Sequence, residues 1–73
     1  MKPHPLKIIR DKLDMTTKDF AAYLTAKGVT ISESSIYFYE VGRRRPRMKK
    51  AIEIERALNG KVRAVDLAAY DLL

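Results

Sequence analysis

The sequence predicts an all-α fold, a small bundle of five short helices carrying a helix-turn-helix. Three observations lead there. Apolar residues recur at helical spacings of three and four along most of the chain. Stop signals at Gly28, Gly42 and Asn59-Gly60 cut that pattern into short segments. Two of the segments are joined by a Gly-containing turn, and the second is followed by a run of arginines. The 73 residues, with no internal repeat, low-complexity segment or linker, read as one domain spanning 1–73. A chain this short buries a thin core.

Met1 to Pro5 is expected to be irregular, because Pro3 and Pro5 remove backbone donors and restrict their neighbours. His4, between them, is the one histidine. As a lone His in a chain without Cys it has too few partners for a metal site, and it reads as a solvated tail residue. A first helix follows from Leu6 to Leu13, with Leu6, Ile9 and Leu13 in register and Ile8 widening the stripe. Thr16 to Lys27 is a second helix. Thr16 is its candidate N-cap and Asp19, three residues on, completes a capping-box-like pair. Phe20, Leu24, Ala21 and Tyr23 are the expected buried face, and Gly28 the stop.

Val29 to Ile31 form a connector whose Val29 and Ile31 point inward. Ser32 is the candidate N-cap of a third helix reaching Val41. Ile36 and Tyr39 of that helix face the core, with Glu33, Ser34, Tyr37 and Phe38 outward. An exposed Tyr-Phe pair is unusual on a small domain. A rotated helix would instead place Tyr37 and Phe38 in the core. A fourth helix, opened by Pro46, carries Met48, Ala51, Ile52, Ile54, Glu55 and Leu58. A fifth runs from Val65 to Leu73, with Leu67, Ala68, Leu72 and Leu73 apolar.

The charge is localised. Residues 1–42 hold six basic and five acidic side chains, and residues 51–73 hold three basic and four acidic. The formal +6 of the chain therefore sits in Arg43 to Lys50, where six of eight residues are cationic and none is acidic. Such a patch directly after an exposed helix points to a polyanion as partner. The absence of Cys excludes disulfides and thiolate chemistry, and no apolar run reaches the roughly 18 residues of a membrane span. The N-terminus lacks a signal-peptide core, so a cytoplasmic protein is expected. With one tail His, no Gly-rich phosphate loop and no evident carboxylate pair, the chain is read as no enzyme, with no metal and no cofactor.

Met15-Thr16-Thr17-Lys18-Asp19-Phe20-Ala21 and Ile31-Ser32-Glu33-Ser34-Ser35-Ile36-Tyr37-Phe38-Tyr39-Glu40-Val41-Gly42, followed by Arg43-Arg44-Arg45-Pro46, resemble the opening of the second helix and the third-helix ending of the phage-repressor, Cro-like (XRE-type) helix-turn-helix family. Ala51-Ile52-Glu53 and Leu58 to Val62 with Asp66-Leu67 resemble the tail of small regulators in the same superfamily. The resemblance covers Leu6 to Leu67, and its most specific part is the Tyr-Glu-x-Gly ending with a downstream Pro. The chain departs from the family in one respect. Ala21 and Glu40 stand nineteen positions apart, more than is usual, so the second helix or its turn is longer within Thr25 to Thr30.

The resemblance implies that Glu33, Ser34, Ser35, Tyr37 and Phe38 face base edges, and that Thr17, Arg43, Arg44, Arg45, Arg47 and Lys49 contact phosphates. It implies Ile36 and Tyr39 in the core and Glu40 in a structural polar contact. Glu33 reads either as an acceptor for a cytosine amino group or as a helix-start residue; Ser34 and Ser35 are also common at helix starts, and Phe38 could serve a dimer contact. The function this implies is a sequence-specific double-stranded DNA-binding regulator, a small phage-type or mobile-element repressor acting by site occupancy as a homodimer, with Leu67, Leu72 and Leu73 as candidate interface residues. The alternative is an interaction module that keeps the fold but binds another protein, as an antitoxin or anti-activator, with Tyr37 and Phe38 as anchors. RNA binding is a third, weaker reading, because a helix-turn-helix suits a duplex.

Overall fold

The computed structural model describes residues 3–69, and these form five helices: α1 Pro5–Lys12, α2 Thr17–Ala26, α3 Glu33–Glu40, α4 Met48–Ala57 and α5 Ala64–Ala69. Among the described residues there is no strand. Helix α3 packs against both α1 and α2, and α5 packs on α4. The core they share is built from Leu6 and Ile9 of α1, Phe20, Ala21 and Leu24 of α2, Val29 of the connector, Ile36 of α3, Ala51, Ile54, Ala57 and Leu58 at α4, and Val62, Ala64 and Leu67 at the end. Met15, Tyr23, Ile31 and Tyr39 pack around its edge.

The helix boundaries follow from local chemistry. At α2 the Thr16 hydroxyl accepts from the Asp19 N–H (3.1 Å) and the Asp19 carboxylate accepts from the Thr16 N–H (3.4 Å), which closes the expected capping box. The Ser32 hydroxyl accepts from the Ser35 N–H in the same way at α3. Helices α1 to α4 end alike, in the Schellman pattern. At α3, Gly42 N–H donates to the Tyr39 carbonyl (3.2 Å) and Arg43 N–H to the Phe38 carbonyl (2.9 Å). The pivot residue there is Gly42 at φ +79°, while Asp14 at φ 57° and Asn59 at φ 54° take the equivalent position after α1 and α4.

Several expectations need correction. His4 is not a solvated tail residue. It is 4% exposed, and its Nδ1 accepts from the Leu6 N–H at 3.1 Å, which makes it the N-cap of α1. Pro5 causes this: it has no N–H to satisfy and its φ is already helical, so the helix starts there. The α1 stripe is narrower than its periodicity suggests, since Ile8 is 40% and Leu13 38% exposed. On α4, Met48 and Ile52 face outward and the helix buries Ala51, Ile54 and Ala57 instead. Glu55 sits among these apolar positions for a reason: its Oε1 accepts the Ala64 N–H at 2.6 Å, tying α4 to the first residue of α5.

The fifth helix starts at Ala64 rather than Val65, and Leu67 is fully buried in the core. A side chain spent on the monomer's interior is not free for an interface, so Leu67 is withdrawn as a dimer candidate. Leu72 and Leu73 lie outside the described residues.

Candidate nucleic-acid interface

The long spacing between Ala21 and Glu40 resolves into a ten-residue α2 and a connector from Lys27 to Ser32. The connector is anchored at every step. Val29 N–H donates to the Leu24 carbonyl (3.0 Å) and its side chain enters the core at 2% exposure. Thr25 Oγ1 donates to the Ile31 carbonyl (3.3 Å), and Lys50 Nζ donates to the Thr30 carbonyl from α4. The extra length is therefore fixed structure between α2 and α3.

Helix α3 is seated by one ion pair. Arg10 Nε donates to Glu40 Oε2 (2.9 Å) and Nη2 to Oε1 (3.0 Å), a bidentate fork in which the two side chains are only 14% and 7% exposed. Arg10 Nη1 donates as well to the Met15 carbonyl (2.9 Å), so one guanidinium joins α1, the α1–α2 turn and the end of α3. The hydrogen bonds that Arg10 donates to Glu40 hold the Arg10 pKa above its ordinary value, against the opposing effect of burial. Glu40 is thus the structural residue that the family resemblance implies.

With Ile36 inward and Glu40 pinned, the outer face of α3 is set. Glu33 and Ser34 are exposed, Tyr37 is 53% exposed and Ser35 is half-buried, its N–H and hydroxyl both engaged with Ser32. Val41, four residues past Tyr37, is 48% exposed on the same side. Sequence reasoning read Val41 only as a helix end; its spacing of four from Tyr37 and eight from Glu33 was the signal. Phe38 does not stand free on this face. It is half-buried, with the Arg44 guanidinium 5.0 Å above its ring and the Tyr37 ring edge-on at 5.7 Å. A rotated helix with Tyr37 in the core is ruled out by the same exposures.

Thr17, the first residue of α2, is half-buried and donates its hydroxyl to Glu33 Oε2 (3.1 Å). The hydrogen bond brings a candidate phosphate contact and a candidate base contact together across the helix-turn-helix. Arg43, Arg44, Arg45 and Arg47 are exposed around a buried Pro46, and Lys49 is exposed in the first turn of α4. Lys50 belongs to the scaffold through Thr30, with Glu53 at 3.7 Å. Arg47 is the N-cap of α4 but makes no side-chain cap bond, and the first turn of that helix holds no acid. Cations at a helix N-terminus oppose its dipole, at about 0.3–1 kcal/mol each. The arrangement is locally unfavourable for the helix and favourable for an arriving anion.

Among the described residues no cluster of three or more His, Cys, Asp or Glu could hold a metal ion, and no helix is long and apolar enough to cross a membrane.

Comparison with known proteins agrees with this geometry. A helix-turn-helix family model matches residues 6–64. No curated protein and no solved structure matches the chain. The match covers α1 to the start of α5, including every residue of the α2–connector–α3 unit and the arginine run. The chain belongs to the XRE-type, Cro-like helix-turn-helix family of DNA-binding regulatory domains.

Proposed function

We propose that the protein is a sequence-specific regulator that reads duplex DNA with the outer face of α3 and acts by occupying its site, as a small Cro-like repressor. One observation supports this above the others. Six of the eight residues from Arg43 to Lys50, which begin two residues after Val41 caps α3, are cationic, and they adjoin a helix face that exposes Glu33, Ser34, Tyr37 and Val41. A helix fits the major groove, where outward side chains meet base edges, and flanking cations neutralise phosphates and hold the register. In this reading Ser34, Tyr37 and Glu33 contact bases, with Ser35 toward the groove wall. Thr17, Arg43, Arg44, Arg45, Arg47 and Lys49 contact the backbone. A carboxylate in the groove selects a base that presents a donor, such as the cytosine amino group.

One module covers little DNA, so useful affinity calls for a homodimer on half-sites roughly 34 Å apart. Leu72 and Leu73 remain the proposed interface, and Val65, 56% exposed on α5, is the described apolar residue that could join them. A cytoplasmic location goes with this role. The exposed Tyr37 and Val41 would also suit a protein partner, as in an antitoxin or anti-activator, but the adjoining cations favour DNA.

Selection from a random duplex pool tests the proposal. Wild-type protein is expected to enrich a subset of sequences, Tyr37→Ala to lose the enrichment, and Arg47→Ala to weaken binding to all sequences alike. Weak binding without enrichment, and with a shallow dependence on salt, would favour the protein-partner reading.

A further inference from the structure

We propose that Phe38 is a positioning residue for Arg44: it holds the guanidinium in place for a DNA phosphate and reads no base itself. The inference rests on the DNA-binding reading and assigns Phe38 a role different from the base contact implied by the family resemblance.

Residue 38 holds Arg44 at two points. The Arg44 N–H donates to the Phe38 carbonyl at 3.3 Å, beside the 2.9 Å bond from Arg43 to the same oxygen. The Arg44 guanidinium then returns over the Phe38 ring, 5.0 Å from its centroid. The geometry depends on the Schellman ending of α3, because Gly42 at φ +79° turns the chain back so that residue 44 lies above residue 38. The ring is itself buttressed. Tyr37 meets it edge-on at 60°, and Phe38 is half-buried. Burial raises the Tyr39 pKa and the nearby Arg44 charge partly opposes that rise, consistent with a cation seated over the end of α3.

Stacking and phosphate binding are compatible for chemical reasons. A guanidinium stacks through its face, while its five N–H groups lie in its plane and stay available at the edge for a bidentate contact. A free arginine loses rotamer freedom when it grips a phosphate; one already stacked has lost much of it beforehand. A lysine ammonium has no such plane, so it cannot stack and fork at once.

The test is binding to mixed-sequence duplex DNA across a salt series, which needs no knowledge of the operator. Each phosphate contact contributes about 0.9 to the slope of log affinity against log salt. Arg44→Ala is expected to lower the slope by about that amount, so that over a fourfold rise in salt its affinity falls about 3.5-fold less than that of wild type. Phe38→Leu keeps the Arg44 charge and is expected to weaken binding at fixed salt by about 2- to 10-fold, the effect of an arginine no longer ordered beforehand, with no further loss when added to Arg44→Ala. Phe38→Tyr, which keeps the ring face, should restore the affinity. Arg47→Ala should add independently to Phe38→Leu, and base preference should be unchanged in Phe38→Leu.

A Phe38→Leu variant that is folded and binds with wild-type affinity, or whose loss adds to that of Arg44→Ala, overturns the proposal. If Phe38→Leu does not fold, the wild-type protein decides. Its Arg44 side-chain protons should be shifted upfield by the ring in NMR spectra, both free and DNA-bound, and unshifted protons in the complex overturn it. A wild-type protein without salt-dependent duplex binding overturns the DNA reading itself, while the upfield shift in the free protein would still report the stack.

Discussion

Removing one side of the Arg10–Glu40 pair should take away a large part of this domain's stability, and removing both should cost less. A domain of this size has a total stability of about 4–11 kcal/mol, at about 0.05–0.15 kcal/mol per residue. Breaking a buried ion pair by deleting one partner costs about 3–5 kcal/mol, because the remaining charge is stranded. The pair here is 14% and 7% exposed, but in a molecule so small it lies close to water, and an effective dielectric near 20 is more apt than 4. We therefore expect about 2–3 kcal/mol for Glu40→Met, at or just below the lower end of that range.

Arg10→Met should cost about 0.5–1.5 kcal/mol more, since it also strips the donor from the Met15 carbonyl. The double variant replaces the pair by apolar side chains and should recover to within about 1 kcal/mol of wild type. Thermal and urea melts followed by circular dichroism measure this. At about 4–8 °C per kcal/mol, each single variant should melt about 10 °C or more below wild type. Single variants within about 0.5 kcal/mol of wild type, or a double variant that simply adds the two losses, would refute the view that this fork seats α3.

Other outcomes follow from the same structure. Gly42→Ala should cost about 1–2 kcal/mol through backbone torsion alone, because a Cβ there meets no atom within 4 Å, and Gly42→Asn should cost less. Leu67→Ala should destabilise by about 2–5 kcal/mol, as expected for a fully buried core residue, measured by urea denaturation. Burial pushes the Tyr39 phenol up, so above about pH 10 the unfolded chain releases that proton first and the equilibrium moves toward unfolding. Stability measured against Tyr39→Phe should therefore be level below about pH 10 and fall as pH rises through the folded-state value.

Much of this was legible in the sequence, for identifiable reasons. The capping box at Thr16 and Asp19, the Ser32 cap and the stops at Gly28 and Gly42 depend on local chemistry, and local chemistry is written in adjacent residues. The structural role of Glu40 came with the family resemblance, but its partner did not, because Arg10 lies thirty positions away. His4 was missed because histidine is not among the usual N-cap residues, although Pro5 was the clue. Glu55 was missed because its partner, the Ala64 N–H, is brought near only by the turn between α4 and α5. Leu67, an apolar residue on a terminal helix, could suit either a core or an interface by pattern alone, and tertiary packing decides for the core. Phe38 shows the same limit at the candidate site. Its position on α3 is periodic, but the guanidinium that covers it arrives from beyond the helix end.

The most direct test of the account is NMR titration of the protein with a duplex enriched from the random pool. We predict shift changes at Glu33, Ser34, Tyr37 and Val41 of α3, at Thr17, and from Arg43 to Lys49, with the exposed Ile8 and Ile52 unaffected. Changes centred on Ile8 or Ile52, or a titration that leaves the outer face of α3 unmoved, would contradict the claim that this face reads DNA.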